Sequence, residues 1–218
     1  MHPTWNLDPT RFLTRRELAA VLADAQARGG SSLNARRNLI IVRLACCCGL
    51  RVSEIADLQL DDVFVDVERP HLRLRREATK GHKTRCVPLW WDRATLNDLR
   101  EWKALRVAHG AGKRDRFVCS VQANRFGQLL QRHAVRRRFL SACKVLGMAR
   151  LRTLTIHHGR HTFISHALAG GRTLAEVRAA AGHSNVAITS VYLHVVVDKT
   201  DGMGDLFGTH HSSIDKPV

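Results

Sequence analysis

Tyr192 is the only tyrosine in this chain, and it sits in the stretch Gly182-His183-Ser184-Asn185-Val186-Ala187-Ile188-Thr189-Ser190-Val191-Tyr192-Leu193-His194. A single phenol can be a nucleophile or one more core aromatic. Its company bears on the choice. His183 lies just upstream, and His157 with Arg160 lies one helical hairpin earlier. Arg51 and Lys80 extend the set to four separated segments. A metal reading is weaker. His157 and His161 have the i, i+4 spacing of a zinc helix, but position 158 is His where H-E-x-x-H needs its glutamate, and no third ligand is evident. No G-x-x-x-x-G-K-[ST] loop occurs either, so neither metal nor nucleotide nor any other cofactor is expected.

The charge balance names a partner class. Against 19 Asp+Glu stand 35 Lys+Arg, a formal +16 with a sequence pI near 10.9. Such an excess calls for a polyanion, most commonly nucleic acid, with a membrane surface as the competitor. The arginines run through the whole chain instead of forming a basic tail, which favours a folded surface laid on phosphates. Arg36, Arg37, Arg136, Arg137 and Arg138, with Lys83 and Arg85, are the expected DNA contacts. The six cysteines contain no Cys-x-x-Cys pair, and Cys46-Cys47-Cys48 falls in an apolar helical run, so the run reads as core in a reducing cytosol. No apolar run approaches a membrane span and no signal peptide is seen, so a cytoplasmic, nucleoid-associated protein is expected.

The elements that must position these groups are mostly helical. Thr14 and Glu17 have capping-box spacing ahead of a helix that Gly29-Gly30 ends. A longer apolar helix is expected from Leu33 through Cys48, stopped by Gly49, and Ser53 can cap a short one after it. Segments 63–65, 71–74 and 85–87 read as three short strands, the last two joined by a hairpin with Lys80-Gly81-His82-Lys83 near its tip. So small a sheet is taken as an appendage on a helical body. Helices follow from Asp92, from 130 to 146 with Gly147 as its stop, and from Thr155 to Gly170-Gly171. A second capping box, Thr173 with Glu176, opens another, and the last runs from Val186 past Tyr192. The fold class is mainly α with a small three-stranded antiparallel sheet (α+β).

Taken singly, Arg51 with Glu54 reads as a surface ion pair, and Lys80 with Lys83 as a solvated tip. In combination, Gly49-Leu50-Arg51-Val52-Ser53-Glu54, Thr79-Lys80-Gly81-His82-Lys83-Thr84-Arg85, His157-His158-Gly159-Arg160-His161-Thr162-Phe163 and Gly182-His183 with Tyr192 resemble, in order, the signature of the tyrosine site-specific recombinases, the integrase family. The resemblance covers roughly 13 to 196. It implies the catalytic-domain fold of DNA breaking-rejoining enzymes over 13–197, an N-terminal arm over 1–12 and a C-terminal tail over 198–218 that docks on a neighbour. It also implies double-stranded DNA as substrate and four protomers on two sites, with a monomer possible in solution. With so short a segment upstream of Leu13, the helical clamp domain that precedes the family's catalytic domain is not expected in this sequence. His158-Gly159 departs from the usual acidic-Leu pair, and Gly159 costs on the order of 1 kcal/mol of helix propensity relative to Ala.

The resemblance also assigns roles that physical chemistry makes sensible. The pentavalent transition state of phosphodiester displacement gathers charge on its non-bridging oxygens, which guanidiniums clamp, here Arg51 and Arg160. His157 and His183 donate to phosphate oxygens, and His157 assists proton removal from the phenol. Tyr192, with a reference pKa of about 10, needs such a cationic site to attack. By family position Lys80 is the general acid for the leaving 5′ oxygen, with Lys83 the runner-up, and Glu54 orients an active-site side chain by a hydrogen bond. The expected activity is cleavage and rejoining through a 3′-phosphotyrosyl link. A type IB topoisomerase and a non-catalytic DNA-binding module on the same fold are the alternatives.

Overall fold

The structure is a computed structural model that describes residues 9–75 and 84–183. Lys80, Lys83, Tyr192, the hairpin tip, the expected helix from Val186 and the tail lie outside the described residues.

Helix α1 (Arg15–Gly29) opens as its sequence predicts: Thr14 Oγ1 accepts from Glu17 N at 3.1 Å, and Glu17 Oε2 accepts from Thr14 N at 2.8 Å. Its buried stripe of Leu18, Val21, Leu22 and Ala25 lies on α2 (Leu33–Val42). The end of the expected N-terminal arm is tied to the body, because Arg150 Nη1 and Nη2 donate to the carbonyls of Thr10 (2.7 Å) and Phe12 (2.6 Å).

The single helix expected from Leu33 to Cys48 is two. After Val42 the chain widens into a π-helical turn, Arg43–Cys47, with Cys48 N donating to Arg43 O at 3.0 Å. Arg43 is buried there, paired with Asp98 at 2.7 Å and Asp92 at 3.4 Å. All three residues of the cysteine run are buried, and burial pushes the Cys47 thiol up to about 11, so the run is core.

Helix α3 (Val52–Asp57) is capped by Arg51 and not by Ser53, which falls inside the helix. Strands β1 (Val63–Phe64), β2 (His71–Leu74) and β3 (Arg85–Pro88) form an antiparallel sheet in that order, with Leu72 opposite both Val63 and Val87. The sheet is more than an appendage: Val63, Leu72, Leu74 and Val87 belong to the main core. Helix α4 (Arg93–Ala108) starts at its N-cap Asp92 and buries Leu99 and Trp102.

Helix α5 (Arg132–Ala142) buries Val135 and Phe139 as its periodicity predicts, then tightens to a 3-10 turn over Cys143–Leu146. Gly147, at φ +83°, ends this run as expected, and the short α6 (Gly147–Leu151) starts from it. Helix α7 (Ile156–Ala169) and helix α8 (Leu174–Ala181) share a smaller core with Trp91, whose ring stacks 6.0 Å from Phe163.

Two glycines let α7 press against the π turn and the residues after it. A Cβ on Gly159 would fall 2.9 Å from Ala45 Cβ, so this residue serves close packing and its propensity cost is offset by contact. Gly49 has φ +67°, and a Cβ there would fall 2.4 Å from Phe163 Cδ1. Gly49→Ala therefore combines backbone strain with overpacking and is expected to lower stability by about 3 kcal/mol. A urea midpoint unchanged from the unmutated chain would contradict this packing.

Candidate active site

The candidate site is assembled from four places in the fold. Arg51 stands at the entrance of α3, in extended conformation (φ −73°, ψ 155°), immediately after the tight passage through Gly49 and the buried Leu50. Its backbone N donates to Glu54 Oε2 at 2.7 Å and its Nη1 to Glu54 Oε1 at 2.9 Å. Glu54 is fully buried, and Arg51 gives each of its oxygens one donor, fewer than a buried carboxylate accepts. Arg85 on β3 supplies each with another, Nη1 to Oε1 at 2.8 Å and Nη2 to Oε2 at 2.9 Å. Burial alone would raise the Glu54 carboxyl, but the hydrogen bonds and charge of Arg85, with those of Arg51, hold it below the usual carboxylate range.

Arg160, on α7, is buried to 8% exposure. Its Nη1 donates to Gly49 O at 2.7 Å, and its Nη2 donates to Ala181 O at the end of α8. The guanidinium thus fastens α7 to the segment before Arg51 and to the segment before His183. His157 is exposed on the first turn of α7, three residues from Arg160. His158 completes that turn by accepting from Thr155 N at 3.3 Å, the role an acidic residue plays in a capping box.

His183 follows the left-handed Gly182 that ends α8, and its backbone N donates to Arg178 O at 3.2 Å. Burial first, then the charges of Arg160, Arg51 and Arg85, push its imidazole down to about 4. Three guanidiniums from α7, α3 and β3 therefore act on one ring. That ring is neutral near pH 7, and it offers one N–H donor and one acceptor. The arrangement is a cationic site, with the charges of three arginines acting on one ring.

His161 and His166 are also pushed down to about 4, chiefly by burial, and each is neutral in the folded state. All three rings have folded values below the ordinary histidine value of about 6.5. The unfolded chain therefore takes up protons that the folded chain refuses. Their contribution to stability is complete above about pH 6.5 and is lost as pH falls from there toward 4. The urea midpoint is expected to be level from about pH 8 to 7 and to drop steeply below about 6. A midpoint level down to pH 4.5 would contradict the neutral assignment.

The structure brings Arg51, Glu54, Arg160 and His183 together and leaves His157 at the rim of α7. Two expected DNA contacts are corrected. Arg37 is 1% exposed and donates to Asn38 Oδ1 at 2.9 Å, and burial with the charge of Arg138 lowers it to about 10. It cannot reach a phosphate on the surface. Arg85 is turned inward on Glu54, its side chain 10% exposed. The signal for this was alternation: Arg85 is two residues from Val87, so both lie on the inner face, with Cys86 exposed between them. Arg136 and Arg137 are exposed on α5, Arg138 is half-buried, and Arg36 pairs with Glu101 at 3.1 Å.

Known proteins resemble this chain in sequence and in fold. Tyrosine recombinase XerC of Corynebacterium glutamicum is 32% identical over 187 residues, which is 83% of this chain and 56% of that protein. Tyrosine recombinase XerD of Halalkalibacterium halodurans is 28% identical over 203 residues, 92% of this chain and 62% of that protein. The chain thus spans little more than half the length of such relatives. Among solved structures, that of XerA recombinase superposes with a TM-score of 0.65 at 22% identity, covering 84% of this chain and 58% of that one. That of XerH site-specific recombinase bound to palindromic difH substrate, a post-cleavage complex, gives 0.64 at 20% identity, covering 86% and 50%. These neighbours establish the fold as that of a tyrosine recombinase catalytic domain. With residues 11–198 also matching the family model, the chain belongs to the phage integrase family.

Proposed function

We propose that this chain is a DNA strand transferase of the tyrosine recombinase type, its catalytic domain spanning 13–197. The observation that carries the reading is the convergence of Arg51 and Arg160 on His183, from separate elements, around a carboxylate that is itself neutralised. In this reading a scissile DNA phosphate binds at this cationic site. Tyr192 Oη attacks phosphorus, forming the Tyr–O–P bond as the P–O5′ bond breaks. The phenolic proton passes to His157, and Lys80 protonates the departing 5′ oxygen.

Arg51, Arg160 and His183 hold the non-bridging oxygens as charge develops on them. A 5′-hydroxyl from a partner strand then attacks the 3′-phosphotyrosyl link and restores Tyr192. The ester conserves the bond energy, so no nucleotide is consumed. Double-stranded DNA is the substrate, and exchange between two duplexes calls for four protomers.

Two labelled duplexes incubated with the chain are expected to yield joined products. Relaxation of supercoiled DNA without joining would overturn the strand-exchange reading in favour of a topoisomerase activity. With a formal +16, binding is expected to be steeply salt-dependent with little sequence preference, falling about 10³-fold between roughly 50 and 200 mM salt. Salt-insensitive binding to one sequence would contradict it.

A further inference from the structure

The residue that the catalytic roles leave unused is Arg85, the buried guanidinium between Glu54 and the end of α8. We infer that Arg85 is a positioning residue of the cleavage site, holding Arg51 and His183 in register with one another. The inference rests on the strand-transfer reading above for its consequence in catalysis, and on geometry for the positioning itself.

Three contacts make the case. Arg85 Nη1 and Nη2 take both oxygens of Glu54, at 2.8 and 2.9 Å, and its Nε donates to Ala180 O at 2.9 Å. The last carbonyls of a helix lack intrahelical partners. Those of Ala180 and Ala181 are instead taken by guanidiniums from β3 and α7, Arg85 and Arg160. The chain then turns at Gly182, over which the Arg85 side chain lies so closely that a Cβ would fall 2.7 Å from Arg85 Cδ. His183 is the next residue, so its place is set by a helix end that Arg85 holds.

Charge supplies a second argument. With Arg51 alone, Glu54 would form a one-to-one pair and cancel the cation meant for a phosphate. Two guanidiniums on one carboxylate leave a net positive charge, and Arg85 faces inward, with its side chain 10% exposed, while Arg51 keeps 24%. Arg85 satisfies Glu54 from the buried side and leaves Arg51 toward solvent. The groups acting on His183 are then Arg51 from α3, Arg85 from β3, and Arg160 and His161 from α7, with Arg178 of α8 donating to its carbonyl.

The test compares the unmutated chain with Arg85→Met and Arg85→Lys on a library of nicked duplexes, and follows histidine resonances without DNA. The His183 signal is assigned as the one lost in His183→Gln. Arg85→Met is expected to slow covalent cleavage about 100-fold while DNA affinity stays within about threefold, since Arg85 is not a phosphate contact. Arg85→Lys keeps the charge without the fork and is expected to recover less than a tenth of the lost rate. In Arg85→Met the His183 titration is expected to rise from about 4 while staying below the ordinary histidine value, because burial, Arg160 and Arg51 still act on the ring.

A folded Arg85→Met with unchanged cleavage and unchanged titration would overturn the inference. Should it not fold, the double variant Glu54→Gln/Arg85→Met, which removes the buried charge with its partner, is read instead. Cleavage slower than in Glu54→Gln alone supports positioning by Arg85, and a rate equal to that of Glu54→Gln overturns it. If the unmutated chain forms no adduct, the strand-transfer reading fails, and the DNA-free titration still decides whether Arg85 governs His183.

Discussion

Tyr192→Phe is expected to abolish the covalent protein–DNA adduct, a loss on the scale of removing a covalent nucleophile, about 10⁶-fold. The substitution deletes one oxygen and keeps the ring. Tyr192 is the only tyrosine, so no second phenol can substitute. Affinity for DNA is expected to stay within about twofold, because it arises from phosphate contacts that the phenol does not make. Gel separation of the adduct together with a binding isotherm checks both halves. An adduct that persists in the variant removes Tyr192 from the mechanism.

Arg160→Ala is expected to cost cleavage at least about 10³-fold, more than the loss of one oxyanion donor alone. The excess comes from the second task of this side chain. Arg160 donates to Gly49 O and Ala181 O, and without it the entrance to Arg51 and the end of α8 lose a common anchor. Each carbonyl left without its donor costs about 1–3 kcal/mol, so the variant is also expected to melt at lower temperature. Among the described residues, Arg51 donates only within its own helical turn. Arg51→Ala is thus expected to lose rate with a smaller change in melting. Equal melting losses in the two variants would contradict the anchoring role of Arg160.

The parts of the fold governed by local rules were legible in the sequence. Both capping boxes open the helices they were expected to open, with Thr14 and Thr173 as N-caps. The segments read as strands pair antiparallel, and the cysteine run is core. What escaped depended on which faces meet. The widened turn at Arg43–Cys47 accompanies the pairing of Arg43 with Asp92 and Asp98, residues some fifty positions away that no local pattern links to it. Gly159 looked like a weakness in a helix because propensity ignores what lies against the residue, here Ala45 and Cys46.

Within the site, residue type was legible and direction was not. Arg37 looked like a surface cation beside Arg36. Yet Ile40, Ile41 and Leu44 follow it at three, four and seven residues, the spacing of one buried face, and Arg37 is buried with them. Arg85 was missed for the corresponding reason in a strand. An arginine after a basic hairpin suggests phosphate, whereas its alternation with Val87 turns it inward to Glu54. Charge composition pointed to a partner class, and periodicity decides which cations face outward to meet it.

The most direct measurement is to trap the unmutated chain on a library of nicked duplexes, digest the adduct with protease and identify the modified peptide by mass spectrometry. The peptide containing Tyr192 is predicted to carry nucleotide joined through a 3′-phosphate, with a free 5′-hydroxyl on the other product. A 5′-phosphate link, attachment through a different residue, or no adduct at all would contradict the account.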